Sequence, residues 1–124
     1  MMAPDATPTL PRVLLVDDDV DTLAMMRKLL ARVPVDNVSV ATCCEARSAA
    51  RDGTFDVVIS DAGLSDGDGV DLVRELKDQF GCRTVVMSGY DAPDDGMPGG
   101  VDLWIAKPVD LSQLTRALQS LTTP

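Results

Sequence analysis

Four aliphatic runs in this sequence each stop on a residue that can do chemistry. Arg12 to Val16 gives way to Asp17, Asp18 and Asp19, Phe55 to Ser60 to Asp61, Thr84 to Met87 to Ser88, and Leu103 to Ala106 to Lys107. Carboxylates gathered at one edge repel each other, by about 4 kcal/mol per pair at about 4 Å with an effective dielectric of about 20. They need a cation. A donor set of oxygens, without histidine or thiolate, selects magnesium, which takes one or two carboxylates, keeps several waters and accepts phosphate oxygens. An aspartate on that ion can attack phosphorus and form an acyl phosphate. Lys107 would add positive charge at the phosphoryl oxygens, and the Ser88 hydroxyl could donate a hydrogen bond to them.

Composition narrows the alternatives. The chain contains no histidine, which excludes histidine-based catalysis, histidine metal sites and a phosphohistidine of its own. Its formal charge of −9 argues against direct contact with nucleic acid, which demands a basic footprint. Three cysteines, two of them the adjacent Cys43 and Cys44, make neither a disulfide framework nor a CxxC pair, so a reducing cytoplasm is the expected location. With 124 residues, 45% hydrophobic and 25% charged, the chain has the size and composition of one globular domain. No apolar run approaches the roughly 20 residues of a membrane span.

The runs that carry the polar residues alternate with helical patterns. Leu23, Met26, Leu30 and Val33 recur at steps of three and four, which predicts a helix from Val20 to Val33, stopped by Pro34. Asn37 to Ala41 reads as a second strand and Glu45 to Arg51 as a helix ended by Gly53. Ala62 to Gly69, with three glycines, reads as a loop, followed by a helix marked by Leu72, Val73, Leu76 and Phe80 and closed by Gly81. Asp110 with Gln113 predicts a capping box for a last helix whose Leu111, Leu114, Leu118 and Leu121 face the core. The expected fold is α/β, a doubly wound five-stranded parallel sheet with its site outside the carboxyl ends of the strands. Residues 1–11 read as a flexible leader, 12–121 as the domain and 122–124 as a tail.

These residues resemble the receiver domains of response regulators, a flavodoxin-like family of two-component signalling, over about Arg12 to Leu121. The marks are Leu-Val-Asp17-Asp18-Asp19 after the first strand, Val-Ile-Ser-Asp61 after the third, Val-Met-Ser88-Gly89 after the fourth and Lys107-Pro108 after the fifth. The resemblance implies phosphorylation of Asp61 by a histidine kinase, a phosphotransfer protein or a small donor such as acetyl phosphate. It also implies magnesium held by Asp18, Asp61 and the Gly63 carbonyl, with Asp17 acting through water. Lys107 would bridge carboxylate and phosphate, and the bond into Pro108 would be cis. Ser88 would move toward the phosphate, coupled to the aromatic residue three before the lysine, here Trp104. Such a protein is a switch that catalyses only its own phosphorylation and dephosphorylation and acts on a protein target.

The sequence also departs from the family. Ser65 stands where proline is common. Tyr90 to Gly100, with Pro93, Pro98 and three glycines, is poor helix material, so the family's fourth helix should be short or absent. Two other readings are weaker. Asp19 and Asp21 could serve a haloacid-dehalogenase-like phosphatase, but such enzymes usually need a longer chain with a cap. A receiver fold used only for protein docking would not need the intact set of site residues.

Overall fold

A computed structural model of the chain describes residues 10–122. Strands β1 (Arg12–Val16), β2 (Asp36–Val40), β3 (Val57–Asp61), β6 (Arg83–Ser88) and β7 (Leu103–Ala106) form one parallel sheet in the order β2-β1-β3-β6-β7. Helices α1 (Val20–Leu30), α2 (Cys43–Asp52), α3 (Gly69–Phe80) and α4 (Leu111–Thr122) cover its faces. A small hairpin, β4 (Gly63–Leu64) with β5 (Gly67–Asp68), stands between β3 and α3.

Alternation along the strands divides the core in two. Val13, Leu15, Ile59 and Met87 join Met26, Leu30, Leu114 and Leu118 on the side of α1 and α4. Leu14, Val16, Val58 and Val86 join Ala46, Leu72 and Leu76 on the side of α2 and α3. The central strands are buried on both faces, which is why they are aliphatic throughout and change to polar residues only at their ends.

The elements follow the expected order, with local chemistry setting their ends. Helix α1 stops at Leu30, short of the expected Val33. The residue before Pro34 is barred from helical backbone, and the Val33 amide turns back to the Leu30 carbonyl at 3.1 Å. Helix α2 begins two residues early because Thr42 caps it: its hydroxyl accepts from the Glu45 amide at 3.0 Å, and Glu45 accepts from the Ala41 amide at 3.1 Å. Asp110 and Gln113 make the expected reciprocal box at α4, at 2.8 and 3.0 Å. Of the expected leader, Leu10 and Pro11 are described, and the Pro11 carbonyl accepts from the Asp36 amide at 2.9 Å. Thr122 belongs to α4; the rest of the leader and tail lies outside the described residues.

No helix forms between β6 and β7. Pro93 and Pro98 withhold amide donors there, and Gly96 and Gly100 turn the chain with φ of 104° and 82°. At Gly100 a Cβ would also lie 2.8 Å from Arg74 Cγ. The segment is tied down at its end, where Asp102 Oδ2 accepts from Lys77 Nζ at 2.7 Å and from the Thr84 amide at 2.8 Å.

Candidate functional site

The parallel arrangement brings the carboxyl ends of β1, β3, β6 and β7 to one edge. Asp17 is fully buried there although it is ionisable, and both its oxygens are engaged. One accepts from the Asp19 amide at 2.8 Å and the other from Lys107 Nζ at 3.2 Å. The same ammonium lies 2.9 Å from Asp61 Oδ1. Asp18, next in sequence, is exposed, and Asp17, Asp18 and Asp61 each offer an oxygen within 4.8 Å of the others.

Burial pushes the Asp17 carboxyl above its ordinary value, although the Asp19 amide and Lys107 pull the other way. For Lys107 burial alone would lower the ammonium; the hydrogen bonds to Asp61 and Asp17 outweigh it and hold the group above its ordinary value. Lys107 therefore stays charged and pairs with Asp17 and Asp61, with Asp18 in the same acidic cluster; when all three carboxyls are ionised, that single positive charge leaves two negative charges to be balanced. An oxygen-only donor set with that deficit fits a hard divalent cation such as magnesium.

Neighbouring residues hold this edge in place. Asp19 caps α1, accepting from the Thr22 amide and hydroxyl at 3.2 and 2.5 Å, and those bonds hold its carboxyl below the ordinary value. Gly63 opens the hairpin two residues beyond Asp61; it is exposed, and a Cβ there would meet nothing within 4 Å. Ser88 ends β6 one residue past the register pair Asp61 and Met87. Its hydroxyl accepts from the Tyr90 amide at 3.1 Å, while the Tyr90 carbonyl accepts from Trp104 Nε1 at 2.9 Å. Trp104 packs with the α2 and α3 side of the core, whereas Leu103 and Ile105 belong to the other side. The bond between Lys107 and Pro108 is cis.

Two residues of this region were not legible as part of the site. Gly69 begins α3 pressed on β3, where a Cβ would stand 1.8 Å from the Asp61 carbonyl oxygen, so no other residue fits without moving the backbone of Asp61. Asp66 reaches α2, accepting from the Cys43 and Cys44 amides at 2.8 and 3.1 Å. Glycine's close-approach role could be suspected from its place at the end of a glycine-rich loop, just before a helix; the reach of Asp66 has no local signal.

The family model for the response regulator receiver domain matches residues 13–119. The chain belongs to this family. The receiver is 30% identical over 107 residues to the response regulator protein PilR of Pseudomonas aeruginosa, covering 83% of this chain and 24% of that one. It is 31% identical over 121 residues to the transcriptional regulatory protein PrrA of Mycobacterium tuberculosis, covering 94% and 52%. The receiver thus spans about half or less of these two relatives. Among solved structures it superposes on the chemotaxis response regulator CheY4 of Vibrio cholerae with a TM-score of 0.81 at 25% identity, covering 91% of this chain and 99% of that one. The receiver domain of an HD domain-containing protein from Pseudomonas fluorescens shares the fold at a TM-score of 0.84 and 24% identity, covering 94% and 89%. Among the described residues no helix is long and apolar enough to cross a membrane.

Proposed function

We propose that this receiver accepts a phosphoryl group on Asp61 and thereby switches a protein-interaction surface. The observation that carries the reading is the ammonium of Lys107 held 2.9 Å from Asp61 Oδ1 beside two further carboxylates. That arrangement gives a nucleophile, a fixed positive charge for the phosphoryl oxygens and a cation site in one place. Asp18, Asp61 and the Gly63 carbonyl would hold magnesium, with Asp17 reaching it through water. When bound, the ion supplies charge neutralisation for the carboxylates and the incoming phosphoryl oxygens.

In the forward step a carboxylate oxygen of Asp61 forms a bond to phosphorus as the phosphorus–nitrogen bond of a kinase or phosphotransfer-protein phosphohistidine breaks. The bonding electrons stay with the imidazole. Lys107 follows the charge from carboxylate to phosphoryl oxygen, and Ser88 donates its hydroxyl hydrogen to another phosphoryl oxygen while still accepting from Tyr90. In a separate hydrolytic step a water oxygen bonds to phosphorus as the bond to the Asp61 oxygen breaks. The electron pair stays with the carboxylate, and the water's proton leaves with the inorganic phosphate or to solvent. These are the only reactions assigned to the chain, which makes it a switch and not an enzyme with a separate substrate. Its charge of −9 favours a protein target over nucleic acid, and its free Cys43, Cys44 and Cys82 suit a reducing cytoplasm.

Acetyl phosphate with magnesium should add one phosphoryl mass to the wild-type protein and none to Asp61→Asn. A full adduct on Asp61→Asn would overturn the assignment.

A further inference from the structure

The loop that follows Asp61 is fixed at its two roots. The Ala62 amide donates to the Met87 carbonyl at 2.8 Å, and the Gly69 amide donates to the Ala62 carbonyl at 2.8 Å. Between them the hairpin tip is held from outside, by α2. Asp66 spreads its two oxygens over the Cys43 and Cys44 amides, which hold its carboxyl below the ordinary value. Gly67 lies so close that a Cβ there would meet Cys43 Sγ at 3.1 Å. The start of α2 is tied in turn to the other side of the site: Glu45 accepts from the Ala41 amide, and the Val40 carbonyl accepts from the Asp17 amide at 3.1 Å. One short segment, Val40 to Cys44, therefore fastens both Asp17 and the hairpin that carries Gly63.

We infer that Asp66 is a positioning residue for the metal, clamping the Gly63 hairpin to α2 so that metal binding and the first turn of α2 are linked. The inference rests on the proposed magnesium site. Residues that orient ligands from outside typically change metal affinity by about 10–100-fold. Linkage runs both ways, so an ion that favours the clamped loop also favours the clamped helix end. A plain helix cap would affect folding alone.

The test titrates the whole chain with magnesium alone, by calorimetry and by amide NMR, after thermal unfolding in chelator has established that each variant is folded. Asp66→Ala should weaken magnesium binding about tenfold. Asp66→Asn, which keeps one acceptor, should fall between it and wild type. In wild type the Cys43 and Cys44 amide signals should shift with the same midpoint as that of Asp18. Magnesium affinity of Asp66→Ala within about twofold of wild type would overturn the inference and leave the proposed function standing, as would Cys43 and Cys44 signals that ignore the metal. If Asp66→Ala does not fold, Asp66→Asn and the wild-type amide titration decide. A wild-type chain that binds no magnesium would overturn both readings.

Discussion

Lys107 Nζ lies 3.2 Å from Asp17 Oδ2, joining an edge strand's end to a buried carboxylate 90 residues earlier. Asp17 is fully buried and Lys107 about a quarter exposed, so the pair is intermediate between buried and surface salt bridges.

Removing the lysine should therefore cost stability. A broken buried pair costs about 3–5 kcal/mol and a surface pair about 1 or less, so Lys107→Ala should lose about 2 kcal/mol in chelator. It removes the ammonium that counters burial at Asp17 and leaves two carboxylates facing one another. Magnesium should restore part of the loss and should still bind. Asp18→Ala, which keeps the lysine, should instead lose at least about tenfold in magnesium affinity, or 1.4 kcal/mol. Urea unfolding with and without metal, together with metal titration, separates the two variants; equal stability of Lys107→Ala and wild type in chelator would refute the first expectation.

The Asp102 contact sets an acid limit. Burial alone would raise its carboxyl, but Lys77 and the Thr84 amide and hydroxyl outweigh it and hold the group below its ordinary 3.8. The unfolded chain then binds a proton more readily than the folded one. The stabilisation is complete above the ordinary value and is lost as pH falls through the lower folded value. Asp102→Asn should cost about 1–2 kcal/mol at neutral pH, and its difference from wild type should shrink below about pH 4. Asp17, held above its ordinary value, works with the opposite sign: the folded state takes up its proton first, so this group favours folding as acid is added. A difference between wild type and Asp102→Asn that stays constant from neutral pH down to the acid transition would show that the carboxylate's charge plays no part.

Trp104 is wired to Ser88 through one residue. Ser88 Oγ takes the Tyr90 amide hydrogen and Tyr90 presents its carbonyl to the indole, so a shift of Ser88 toward a phosphoryl group pulls on both bonds. Magnesium with beryllofluoride should change tryptophan emission and its quenching by acrylamide, and Ser88→Ala should blunt both changes. A ligand moves such an equilibrium only by its preference for one state. Constant emission with independently verified binding of the mimic would make Trp104 a packing residue.

Much of this molecule is written locally. The central runs are buried on both faces and aliphatic, so β1, β3 and β6 announce themselves, the edge strand β7 reads as a shorter apolar run, and the polar residue at the end of each marks the carboxyl edge of the sheet. The Asp110 and Gln113 box and the missing helix around Pro93, Gly96 and Pro98 are equally local, because caps and backbone restrictions act within a few residues. The strand order β2-β1-β3-β6-β7 is different in kind, since it comes from packing helices on both faces of one sheet. Only that packing buries Asp17 while leaving Asp18 exposed, carries Lys107 to both Asp17 and Asp61, and sets Asp66 on the first turn of α2. Such contacts join residues 22 to 90 positions apart, and no pattern within a single element specifies which partner an ionised side chain will meet across the fold.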